Sequence, residues 1–219
     1  MFGIIYIVLS LLAGKELAEI LLFTGKNAQE AGSRNGQHKA FCNQIWVLAA
    51  AAFGMGTLVF GWTTYMISWA ASEAGAKKPL IYGNTAVLII TAVVLVLLYW
   101  KRYRKTGTVW TMADRKLISD SRAFRKECIL FGFLLVFLTW IMFYVFYIRN
   151  GELYSGFSVY GDYAPHTAMM RSFSKGNNFP TEYPHFGGQD VKYHFMFQFL
   201  VGNLEFLGVR LDFAYNIES

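Results

Sequence analysis

Charge is scarce in this chain. Asp, Glu, Lys and Arg make up 16% of its residues while 55% are hydrophobic, and the mean hydropathy is positive. A soluble domain carries about 25% charged residues, so the shortage argues against a water-exposed globule. Cysteine is scarcer still. Cys42 and Cys128 are the only two, and neither belongs to a CxxC pair. That excludes a disulfide framework and leaves both as small apolar side chains. Proline and histidine number four each, and three of each fall within residues 149–194. No HExxH or similarly tight metal motif accompanies them.

What the chain has is apolar sequence in long blocks separated by polar loops, the mark of several membrane-spanning helices. Residues 1–23 lack the basic start of a signal peptide and read as a retained helix. Within it Lys15 and Glu19 are spaced to pair on one face, and Glu16 lies between them. Residues 24–44 are a polar loop that holds His38. Residues 45–71 are apolar, with Trp62, Tyr65 and Trp69 suited to a membrane interface. Residues 84–100 form a Val/Leu/Ile-rich span stopped by KRYRK, and residues 106–126 a basic amphipathic connection. Residues 128–148 contain no charge and are long enough to cross the ~30 Å hydrocarbon core.

Between positions 101 and 127 there are nine Lys/Arg and three Asp/Glu, a net of +6 that equals the charge of the whole chain. A short basic loop between spans is cytoplasmic by the positive-inside rule and can touch anionic lipid. No recognition motif accompanies the charge, so no nucleic-acid partner is expected. Residues 149–192 are then external. The expected fold is all-α: a polytopic transmembrane bundle of about four to five spans, with a large external loop containing a short interfacial helix. Residues 1–126 would be an N-terminal membrane module. Residues 127–219 would begin a second domain: the span 128–148, the loop 149–192, and the next span or an interfacial helix from 193. A chain ending just after that segment begins reads as a fragment of a longer protein.

Chemistry is expected in the polar, aromatic-rich loop. It contains two Asp-x-x-x-His pairs, Asp162/His166 and Asp190/His194, and on a helix each pair would share a face. A short helix is predicted from Asp162, with Pro165 in its first turn and Gly176 as its stop. Ala164, Ala168, Met169 and Phe173 give it a weakly amphipathic face for the membrane surface. Asp162 is either the helix N-cap or a carboxylate at the water–lipid boundary, able to act as general base or to bind a cation. Asp162, His166, Asp190 and His194 could form a divalent-metal site of mixed oxygen and nitrogen ligands. Hydrogen bonding that fixes the loop, or proton transfer by a histidine, accounts for the same residues. Between the pairs, NNFPTEYPHFGGQD sets turns with two prolines and two glycines. Phe179, Tyr183, Phe186 and Tyr193 surround it, either packed on the membrane domain or facing a sugar ring.

The succession of an apolar span, GDY-x-x-H, a helix bearing Arg171 and Lys175, FPTEYPHFGG and YHFMFQFLVGNLEFLG resembles the first external loop of the GT-C-type membrane glycosyltransferases. That group includes the dolichyl-phosphate-mannose protein mannosyltransferases. The resemblance covers about residues 128–208. It implies a helical GT-C membrane domain in the plasma (inner) membrane. A sugar would pass from a polyprenyl-phosphate donor to an acceptor on the external face. Asp162 would be the catalytic acidic residue, assisted by His166. Arg171 and Lys175 would hold the lipid phosphate, while His185, Asp190 and His194 line the site. A divalent metal is the one cofactor implied. The chain departs from the family where Tyr163, rather than a second acid, follows Asp162. The other function class considered is a transporter or channel subunit, with Lys15, Glu16 and Glu19 as its working charges and the loop as a lid. A non-catalytic scaffold whose loop docks a partner is a third.

Overall fold

The computed structural model describes residues 2–23, 37–109, 121–156 and 160–219. Among these residues the order is α1 (Phe2–Phe23), α2 (Gln37–Glu73), α3 (Pro79–Thr106), α4 (Ser121–Val145), β1 (Phe146–Arg149), β2 (Glu152–Ser155), α5 (Tyr160–Gly176), α6 (Met196–Phe206) and α7 (Leu211–Glu218). Among the described residues three stretches are long and apolar enough to cross a membrane: Trp46–Glu73, Pro79–Thr106 and Arg125–Val145. Even the 21 residues of the last reach about 32 Å at 1.5 Å per residue. His38 and Cys42 lie outside the residues whose side chains are described.

Helix boundaries follow local chemistry. After α2, the N–H of Ala76 donates to Ala71 O (2.9 Å) and that of Gly75 to Ser72 O (2.8 Å), with Gly75 at φ +85°. This is a Schellman cap, which needs a left-handed residue that glycine supplies without strain. Helix α3 opens on Pro79, whose missing N–H costs nothing in a first turn. Arg104 and Lys105 sit in its last turn, where cations complement the helix dipole.

The chain divides into two compact units. One comprises Leu9–Thr57 and Ile89–Val136. Here Gly14 faces the Ala52 carbonyl and Gly56 faces the Ser10 backbone, so any side chain at either position would collide with main chain. Arg102 donates to Glu16 Oε1 (3.1 Å) and binds its second oxygen as well. Lys15 lies 3.5 Å from Glu19, as the i, i+4 spacing predicts. Trp46 stacks on Phe131 (4.2 Å) and donates to Glu127 (3.1 Å).

The other unit comprises Met1–Val8, Leu58–Leu88 and Phe137–Ser219. Its core gathers Leu80, Met169, Phe173, Phe199 and Phe179, with Tyr65 packed against them. Phe173 meets Phe199 edge-to-face at 5.2 Å, a favoured aromatic geometry. Helix α5 lies against α6 at Gly202, whose added Cβ would strike the Met170 carbonyl. Asn84 and Asn203 exchange reciprocal amide hydrogen bonds of 2.7 and 3.0 Å while buried.

Three details differ from expectation. The described residues are mostly helical, with one two-stranded hairpin added. The helix predicted over 128–148 runs Ser121–Val145, and the chain then enters an antiparallel hairpin pairing Phe146 with Ser155 and Arg149 with Glu152. Its turn, Asn150-Gly151, has positive φ at both positions, the geometry that suits the right-handed twist of the strands. The exposed backbone of β1 is satisfied by α7: Asp212 accepts from the Ile148 N–H (2.9 Å), and Asn216 donates to Phe146 O (2.9 Å). Next, of the two readings of the segment from 193, the next span or an interfacial helix, the 11-residue α6, about 16 Å long, is too short for the first. Finally, α5 starts at Tyr160, so Asp162 lies inside the first turn rather than at the cap, and Pro165 lies within the helix. Ala164 is exposed, and the buried face is Met169, Met170 and Phe173, turned to protein.

Candidate functional site

The histidines of the polar segment converge on a cavity of about 220 Å³. Helix α5 contributes His166, α6 contributes Gln198, and the connection between them contributes Tyr183, His185, Tyr193 and His194. Two devices shape that connection. Asn177, at φ 49°, takes the left-handed position after α5, a role asparagine tolerates. Asn178 then clamps the chain: its amide donates to Glu182 O (2.8 Å) and accepts from the Glu182 N–H (2.8 Å). Tyr65 and Thr181 hydrogen-bond at 2.8 Å, and Ser72 donates to Phe179 O at 2.8 Å, tying the segment to α2. Glu182 and Asp190 form a bridge, and the turn between them is closed by the Gly188 N–H on Glu182 Oε2 (2.9 Å).

Within the cavity Gln198 is 3% exposed. Its Nε2 lies 2.6 Å from His166 Nδ1. An amide N–H donated there requires an unprotonated Nδ1, which puts the neutral ring's proton on Nε2. Gln198 Oε1 is buried with no hydrogen-bond partner. Turned about, the amide would accept from an Nδ1–H and leave its nitrogen bare. Either way one buried polar atom is unsatisfied, at a cost of about 1–3 kcal/mol.

The remaining site residues stand elsewhere. Asp162 is exposed, one helical turn before His166 on α5. Its neighbour Tyr163 packs on Phe146 (4.9 Å) and Tyr215 (5.5 Å). Burial and the Tyr215 hydroxyl raise its phenol above the ordinary range, so it supplies no second acid beside Asp162. Arg171 is half exposed, with Nε 3.4 Å from Glu205 Oε1, and Glu205 also accepts from Ser174 (2.6 Å). Lys175 and Asp190 are exposed. The structure therefore brings His166, His185 and His194 to one cavity and leaves Asp162, Arg171, Lys175 and Asp190 off its walls.

Among the described residues no three of His, Cys, Asp and Glu gather closely enough to hold a metal ion. The set Asp162, His166, Asp190 and His194 is thus not assembled, and His166 already spends Nδ1 on Gln198. Among the described residues the donors present do not fit a metal. Gln198 carries no titratable group, so the spacing of acids and histidines in the sequence does not point to it. The signal was a glutamine inside an apolar helix, MFQFL, where an amide needs a reason to be buried.

Among the described residues three helices have the length and composition to cross a membrane, which makes this a helical membrane protein. No family model, curated protein or solved structure matches it.

Proposed function

We propose that this chain belongs to a membrane glycosyltransferase of the GT-C kind. It would transfer a sugar from a polyprenyl-phosphate donor to an acceptor on the external face of the plasma (inner) membrane. One observation carries the reading: Asp162 is exposed in the first turn of the helix that follows an apolar span, one turn from a histidine opening on an aromatic-walled cavity. In this reading four to five spans place residues 149–192 outside, with α5 near the headgroups.

The acceptor hydroxyl attacks the anomeric carbon as its proton passes to Asp162. The bond from that carbon to the phosphate oxygen breaks, and polyprenyl phosphate leaves, with inversion. Arg171 and Lys175 meet the phosphate. Arg171 keeps half its surface free beside Glu205, and a guanidinium can serve two anionic partners at once. The charges of α1 support this reading over a transporter, since Glu16 is held by Arg102 and Lys15 by Glu19.

The test is Asp162→Asn in the full-length protein, assayed for transfer from a polyprenyl-phosphate sugar. Loss of about 10²–10⁴-fold is expected for a general base, and undiminished transfer overturns the assignment. A tag at Ser158 found on the cytoplasmic side would do so as well.

A further inference from the structure

We propose that the cavity between α5, α6 and their connection binds a quaternary ammonium group, a cation that carries methyls in place of N–H donors. This ligand class lies outside the transfer reading, and no step of that reading uses it.

The walls exclude most ligands. Almost all the surface they expose is carbon. An N–H donor that enters gives up its water with little to replace it, which is costly. Among the described residues no Asp, Glu, Lys or Arg lines the cavity. An ordinary amine or carboxylate therefore finds no counter-charge there, and no fixed positive charge repels a cation. A neutral apolar group fits the walls but gains little by leaving lipid tails that are as apolar as they are.

A cation held by aromatic rings meets none of these objections. Tyr183, Tyr193 and Phe195 line the cavity, with the imidazoles of His185 and His194. An aromatic face attracts a cation within about 6 Å of its centre, and methylated ammonium is the usual guest of aromatic cages. The rings are held in place beforehand. Phe195 packs on Tyr65 at 5.2 Å and on Phe173 at 6.1 Å, and the ring centres of Tyr193 and His194 are 3.7 Å apart. Preformed walls spare a ligand the cost of ordering them. The volume, about 220 Å³, lies below the roughly 300–1,000 Å³ of drug-sized pockets and suits a head group. The charge of the connection agrees. With its imidazoles neutral, residues 177–195 carry two acids, Glu182 and Asp190, against one base, Lys192, a net of −1. A trimethylammonium group spreads its charge over methyls and has no donor left to satisfy, so it suits the carbon walls and the rings together.

The experiment uses the full-length protein in nanodiscs of phosphatidylglycerol, free of choline lipid, at pH 8, where imidazole is neutral. Saturation-transfer NMR reads three probes. Choline is the quaternary cation. Dimethylbutanol is its carbon isostere without the charge, and ethanolamine keeps the charge with N–H donors. Choline should bind at least about tenfold more tightly than either, the size of one desolvated cation–π contact. Tyr193→Leu, a change at an exposed side chain, should weaken choline about tenfold and leave dimethylbutanol unchanged. The probe comparison uses the unaltered chain, so it decides the matter even if that variant does not fold. Nanodiscs of phosphatidylcholine then distinguish the source. A lost choline signal assigns the site to the lipid head group and a retained one to a free solute, and either bears the proposal out. Dimethylbutanol or ethanolamine bound as tightly as choline, no binding of choline, or a folded Tyr193→Leu chain that binds it normally would each overturn it. The Asp162 assay reports separately. Choline binding alongside undiminished Asp162→Asn transfer would remove the enzyme reading alone. Lost transfer without choline binding would remove this one alone.

Discussion

Along α4 the large side chains Ile129, Phe133, Leu135, Val136, Leu138 and Trp140 stand exposed, whereas along α6 Phe199, Val201 and Leu204 are buried. Both helices are apolar, yet only one is covered by protein. The difference lies in what else each carries. Helix α4 has no Asn, Gln, Asp, Glu, Lys or Arg between Cys128 and Val145. Helix α6 has Gln198, Asn203 and Glu205, each with a partner on another element, and Gly202 where α5 comes close. Lipid tails are as apolar as leucine, so a greasy face gains little by turning to protein. Amides and small residues hold helices together there, since polar groups must find partners and glycine lets backbones approach. In this chain apolarity reports the solvent, and the polar interruptions report the packing.

Substitution in pairs tests that contrast. The largest effect is expected from Phe199→Ala, which empties the aromatic core and should cost about 3–5 kcal/mol. Leu135→Ala on α4 should stay within about 0.5 kcal/mol. Thermal unfolding in nanodiscs reads both, and equal losses would break the comparison. Next comes Gly202→Ala, whose Cβ would meet the Met170 carbonyl, at about 1–3 kcal/mol. Gly132→Ala meets nothing within 4 Å and should be neutral or slightly stabilising through helix propensity. A smaller loss, about 1–2 kcal/mol, is expected for Asn84→Leu, which strands the Asn203 amide. Adding Asn203→Leu should recover part of it, because the two residues form one unit. Additive losses would show that the amide pair is not what joins α3 and α6.

The same contrast explains what the sequence disclosed. The long helices were legible because hydropathy reports solvent. So was α5, whose end falls at Gly176 as predicted. The hairpin was hidden although its signal is strong: Asn150-Gly151 sits between FYIR and ELYS. Phe146, Tyr147 and Ile148 continue an apolar run and were absorbed into the span. Helix α6 was open to reading as a span for the same reason, although Gln198, Asn203 and Glu205 within 11 residues are costly against lipid. The convergence of His166, His185 and His194 depends on the Asn178 clamp and the turn at Gly188, contacts that no spacing rule encodes. The Asp-x-x-x-His repeat was a poor guide. Only its histidines reached the cavity, and Asp190 serves through its backbone.

The smallest effect concerns pH, and it separates the packed polar region from the bare helix. Glu218 lies in α7, and burial lifts its carboxyl from an ordinary 4.5 to about 7. Between those values the folded chain keeps a proton that the unfolded chain has released, so stability falls as pH rises through the window and levels off above it. Asp212 runs the other way. Burial alone would raise its carboxyl, but Arg210 and the Ile148 and Phe213 amides hold it below its usual range. Its contribution is present above the ordinary carboxylate range and is lost only in stronger acid, so it adds no slope between 4.5 and 7. With Glu218 partly exposed, the change across the window should be on the order of 1 kcal/mol. Unfolding midpoints at pH 5 and pH 7 measure it, and Glu218→Gln should flatten the difference. An undiminished slope in that variant would show that the buried Glu218 carboxyl is not its source.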